Sequence, residues 1–157
     1  MKERTSHRTL RLNLLAMAAL AVAAVATTGC GSKVEDCNKV IDVINSHADE
    51  TGKIQMDKPE GLDAFAAVLD KTGTEISALA LKDEQVKKTS ADFAATNKGL
   101  AAAVREVGAK TKALSGAAAD PATAATAAED VKKASDAMTE KSKAREKSLE
   151  AFQGYCK

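Results

Sequence analysis

Three cysteines, at positions 30, 37 and 156, are the side chains with the most distinctive chemistry in this 157-residue sequence. Two of them sit in the stretch VATTGCGSKVEDC, directly after an apolar run, and the third is the penultimate residue. A C-x-x-C spacing would indicate a redox centre or half of a zinc site, and it does not occur. Beyond Cys30 the chain has a single histidine, His47, and two methionines, Met56 and Met138. Metal sites normally assemble several His, Cys or carboxylate ligands, so this inventory predicts no metal. G-x-S-x-G, H-E-x-x-H and G-x-x-x-x-G-K-[ST] are all missing, which leaves hydrolase-elbow, zincin and P-loop chemistry without support. The run GAKTK from Gly108 lacks the glycine-rich loop that cradles phosphate and reads as helix surface. Carboxylates are plentiful, yet Asp130, Asp136, Glu140, Glu146 and Glu150 alternate with Lys133, Lys141, Lys143 and Lys147, the pattern of a solvated helix face. The expectation is a protein with no catalytic centre and no cofactor.

The first thirty residues have a different logic. Lys2, Arg4, Arg8 and Arg11 form a basic start, Leu12 to Ala26 is apolar apart from Asn13, and the small residues Thr27, Thr28 and Gly29 follow. Basic, apolar and small regions in that order make a secretory signal peptide, and the run is shorter than the roughly 20 apolar residues of a spanning helix. The block Thr27-Thr28-Gly29-Cys30 resembles the lipobox of bacterial lipoproteins. That resemblance implies cleavage after residue 29, lipidation of Cys30 with palmitate-type chains, and a mature domain of residues 30–157. It also implies an address. Gly31, where the family's inner-membrane proteins have Asp, points to the outer membrane, with the domain on its periplasmic face or at the cell surface. Read from the residues alone, an ordinary soluble secretory signal followed by a chance cysteine stays open.

Net charge agrees with an envelope protein more than with a nucleic-acid binder. The leader carries four basic residues against Glu3, so removing its +3 from the formal +1 of the whole chain leaves the mature part at −2. Such a surface has no electrostatic footprint for nucleic acid.

If Cys30 carries lipid, Cys37 and Cys156 remain in an oxidising compartment, where an even pair is expected to form a disulfide. The alternative is two free thiols. A bridge between these positions closes nearly the whole mature chain.

The elements that must position these residues are helical throughout. Ser32-Lys33-Val34-Glu35 fits a capping box, so a helix is expected to begin almost at the lipid and to run, with Val34, Cys37, Ile41 and Ile44 on its apolar face and Val40 and His47 beside it, to a stop at Gly52. The lone His47 reads as a boundary residue. Pro59 opens a second segment whose Leu62, Phe65, Leu69, Thr72, Ile76 and Leu79 step by three and four. Asp83 can cap a third, in which Val86, Ser90, Phe93, Asn97, Leu100, Val104, Val107, Thr111 and Leu114 keep the rhythm up to Gly116. Asp120-Pro121 starts the last, with Ala128, Val131, Ser135, Met138, Ser142, Arg145, Leu149 and Phe152 on its seam and Cys156 in phase or just past a stop at Gly154. The phase runs unbroken from Leu79 to Val86, so residues 59–115 could also be one rod of about 57 residues, roughly 85 Å long. Such a rod would outrun its neighbours, and four helices return the C-terminus to the start of the first, where a Cys37–Cys156 bridge needs it.

The fold expected is all-α, an antiparallel up-down-up-down four-helix bundle with coiled-coil-like seams, sitting close against the bilayer with its far loops roughly 50 Å out. Ser90, Asn97, Thr111, Ser135, Ser142 and Arg145 occupy seam positions where a tight bundle would have leucine. Either alanines such as Ala94, Ala101, Ala134 and Ala137 share a close-packed core with these residues at its edge, or the seam holds a polar groove or partner surface. The functional expectation is a lipid-anchored envelope protein with a structural or protein-interaction role, partnered by the membrane and an envelope protein. The alternative is a periplasmic binding module for an apolar or haem-like ligand. It would be similar to four-helix haem carriers that ligate through one Met and one His, roles open to Met56 or Met138 and to His47.

Overall fold

The computed structural model describes residues 31–56, 59–117 and 120–157. The expected signal peptide, residues 1–29, and the expected lipidation site Cys30 lie outside the described residues. Four helices account for most of the rest: α1 (Gly31–Gly52), α2 (Pro59–Ala78), α3 (Glu84–Gly116) and α4 (Pro121–Cys156). No strand occurs among the described residues.

Local chemistry explains most of the helix ends. Pro59 is the first residue of α2 and Pro121 the first of α4, where the missing amide hydrogen costs nothing. Asp120 precedes Pro121 in extended conformation and its carboxylate accepts from the Ala122 amide and the Thr123 hydroxyl. Asp83, at φ −75° and ψ 118°, accepts from the amides of Gln85 (3.0 Å) and Val86 (2.9 Å). Residues 79–83 are non-helical and end in this extended cap, so residues 59–115 form two helices although their apolar phase is continuous. One expected cap is not made: α1 already includes Ser32 and begins at Gly31, and the Glu35 carboxylate pairs with Lys39 Nζ at 2.7 Å, four residues on. At the other end, α4 continues through Gly154 to Cys156.

α3 is the central element, lying against α2 and α4, while α1 touches all three. Among the described residues, α2 and α4 do not approach within 8 Å Cα to Cα. Contacts between neighbours run in opposed register. From α1 to α2, His47 meets Glu75 at 2.8 Å and Glu50 meets Lys71 at 3.6 Å. Between α2 and α3, Asp63 pairs with Lys112 at 3.1 Å and Asp70 with Arg105 at 2.5 Å. Between α3 and α4, Thr96 bonds Ser148 at 2.7 Å and Lys110 pairs with Asp130 at 2.9 Å.

The apolar interior has two centres. Cys37, Val40, Ile76, Val86, Phe93, Ala94 and Phe152 form one, where all four helices meet; Ala66, Leu69, Leu100, Ala101 and Val104 form the other, flanked by Leu62, Phe65 and Met138. The seam positions of α2 and α3 are mostly buried, as their spacing predicts. α1 is rotated from its expected phase: it buries Asp36, Cys37, Val40 and His47, whereas Val34 is 47% exposed. Its orientation is fixed by the sulfur of Cys37 and the carboxylate of Asp36 rather than by aliphatic side chains alone. α4 buries only Ala134 and Phe152, because through most of its length it has α3 as its sole neighbour.

Candidate functional site

The chemistry-bearing residues gather at the end of the molecule where α1 begins and α4 finishes. Cys37 Sγ and Cys156 Sγ are bonded at 2.04 Å with their Cα atoms 5.8 Å apart, across 119 positions of sequence. Beside them Asp36, with no exposed surface, accepts from the backbone amides of Lys82 (2.5 Å) and Asp83 (2.8 Å) and from Lys39 Nζ (3.2 Å). The Asp83 amide, more than the Lys82 amide and the Lys39 ammonium, holds the Asp36 carboxyl below the usual carboxylate range, against the opposing effect of burial. This carboxylate ties the start of α1 to the connection between α2 and α3. Nothing in the sequence singles it out, since its partners are main-chain amides 46 and 47 positions away.

Tyr155, one residue before Cys156, places its hydroxyl 3.3 Å from both carboxylate oxygens of Asp83, and Lys33 Nζ stands 4.5 Å above its ring. The Asp83 side chain thus caps α3 and receives α4 at once. Cation–ring contact adds a further link between the first turn of α1 and the last of α4.

His47, expected at a boundary, is 4% exposed. Its Nε2 lies 2.8 Å from Glu75 Oε2 and joins α1 to α2, while Nδ1 faces Glu50 Oε2 at 3.5 Å without a hydrogen-bond partner. Both ring nitrogens therefore look toward carboxylates. Met138 lies against the second apolar centre, and Met56 is 39% exposed after α1. Among the described residues no group of three or more His, Cys, Asp or Glu side chains is placed to hold a metal ion.

Five of the six polar seam residues find hydrogen-bond partners within the bundle. Ser90 donates to the Lys87 carbonyl (3.1 Å), Thr111 to that of Val107 (2.8 Å) and Ser135 to that of Val131 (2.8 Å). Asn97, fully buried, donates to the Phe93 carbonyl and accepts from Arg145 Nε, both at 2.8 Å. The Arg145 guanidinium also covers the Phe93 ring at 5.2 Å, and burial lowers its pKa from the ordinary value. Ser142 is exposed. Ala94, Ala101 and Ala134 are buried with these groups and Ala137 is not. Alanine packing describes this seam in part, but Ser90 and Asn97 lie inside it and not at its edge as that account expects.

No helix among the described residues is long and apolar enough to cross a membrane. No protein-family model matches the chain, and neither a curated protein nor a solved structure does.

Proposed function

We propose that this chain is a bacterial envelope lipoprotein: a helical domain held to the outer membrane through lipid on Cys30, serving a structural or protein-interaction role without catalysis. The observation that carries the reading is the union of Cys37 with Cys156, which commits two of the three sulfurs and leaves the one that follows the apolar leader. Acyl chains contribute about 0.8 kcal/mol per buried CH₂, so the two or three chains of such an anchor give lasting attachment. The up-down-up-down order is supported by the opposed register of each neighbouring helix pair. An interaction role is supported by α4, a 36-residue helix with only two buried residues, which leaves a long face of mixed charge available to a partner.

Mass spectrometry of the N-terminal peptide of the mature protein, with and without reductant, tests this directly. A peptide beginning at Cys30 with an acyl-glyceryl mass, linked through Cys37 to the C-terminal peptide until reduction, is the expected result. An unmodified Cys30 would sink the anchoring. Crosslinking in intact cells followed by identification of a single dominant partner tests the interaction role, and its repeated absence counts against that role.

A further inference from the structure

We infer that the disulfide end of the domain is a seating surface that rests in the headgroup layer of a phospholipid bilayer, with Val34 as its apolar contact. The inference rests on lipid being attached at Cys30. Val34 and Met56 are the large apolar side chains left exposed among the described residues, at 47% and 39%. Helical spacing alone would have turned Val34 inward, and the burial of Asp36, Cys37 and Val40 leaves it outside. Its distance from the anchor is then limited by the backbone. Three helical residues from Gly31 advance about 5 Å, and one further Cα step adds 3.8 Å. Val34 is thus held within about 9 Å of the acylated residue, and the interfacial zone of each leaflet is itself roughly 5–8 Å deep.

The surroundings suit that zone. Tyr155 under the Lys33 ammonium provides the aromatic and basic pairing favoured at membrane interfaces, and Lys82 and Lys157 are exposed at the same end. Glu35 and Glu84 are matched by Lys39 and Lys87, and the Asp36 and Asp83 carboxylates offset most of the remaining lysine charge, so the seat is close to neutral, matches a zwitterionic headgroup layer and does not call for anionic lipid.

The chain has no tryptophan, so Val34→Trp and Met56→Trp each create a single reporter in the full lipidated protein. Both are to be reconstituted in phosphatidylcholine vesicles with and without brominated acyl chains, after intact mass confirms lipid on Cys30. The expected result is emission from Val34→Trp shifted to the blue and lowered at least twofold by the brominated lipid, with Met56→Trp unchanged. Absence of quenching at Val34→Trp with the lipid mass present overturns the seating and spares the anchor. Equal quenching of both reporters overturns end-on seating in favour of a domain lying flat. A missing lipid mass overturns seat and anchor together. Tyr155 is the one tyrosine, so its fluorescence in the unsubstituted protein repeats the measurement without a substitution: quenching supports the seat and its absence in brominated vesicles opposes it.

Discussion

Asp36 shows how a single side chain can join two segments far apart in sequence. Its carboxyl is held down by main-chain donors that exist only in the folded protein, so protonation is resisted in the folded state and not in the unfolded one. A depressed carboxyl contributes stability that is present above the unfolded value, near 4, and lost as pH falls through the folded one. Glu35, Asp120 and Asp130 are depressed too, by Lys39, Thr123 and Lys110 respectively, and share the acid sensitivity. Asp36→Asn is expected to be less stable at pH 7, with the difference from wild type shrinking below about pH 4; urea midpoints at pH 7, 4 and 2.5 would measure it. A constant difference across that range would contradict the assignment. Glycines give a second contrast at this scale. A Cβ on Gly73 would stand 2.8 Å from the Ala94 carbonyl oxygen of α3, whereas one on Gly99 meets only Lys141 Cδ at 3.9 Å. Gly73→Ala is expected to cost about 1–3 kcal/mol from overpacking. Gly99→Ala should instead stabilise by roughly 0.5–1 kcal/mol, since it removes a helix-interior glycine. Denaturant midpoints decide both. Gly73 and Asp36 are illegible in the sequence for one reason: each matters through backbone atoms of a distant segment.

At the scale of the helices, the three-four spacing located the seams of α2 and α3 well, because those helices have neighbours enough to bury a regular stripe. It misplaced Val34 in α1 and overstated burial in α4, where Ala128 and Ser142 are exposed. Spacing states which residues share a face and is silent on whether anything lies opposite. The break between α2 and α3 was legible only as a capping residue, for the apolar phase passes straight through it. Asp83→Ala removes both the cap and the Tyr155 contact, and a loss of about 1–2 kcal/mol is expected from thermal or urea unfolding. Phe152 is the large side chain that α4 commits to the shared core, with no exposed surface. Phe152→Ala should cost about 3–5 kcal/mol, and Leu149→Ala, half-buried beside it, clearly less. Equal losses at the two positions would show that α4 is not fastened where the structure places its apolar contact.

For the molecule as a whole, the bond from Cys37 to Cys156 is the main long-range constraint. Chain entropy assigns a loop of 119 positions about 4–5 kcal/mol of stabilisation. Cys37→Ala with Cys156→Ala should lower the melting temperature by ten degrees or more, at roughly 2–8 °C per kcal/mol for domains of this size class. Reduction of wild type should reproduce that shift, and a difference under about 1 kcal/mol would mean the unfolded state is already constrained by other means. The sulfur that would fix the cellular address lies in the stretch before Gly31, so its role is legible from the leader's composition and not from packing.

The same bond has a mechanical and proteolytic consequence. In the lipid-anchored protein proposed above, a force between the anchor and the chain's last residue passes from residue 37 to residue 156 through sulfur, so only the stretch of α1 before Cys37 carries load and the rest of the bundle is bypassed. A protease that cuts once in the connection after α1 or after α3 therefore releases nothing: both fragments stay fastened together until a reductant arrives. Damage of this kind would be invisible on a non-reducing gel and obvious on a reducing one.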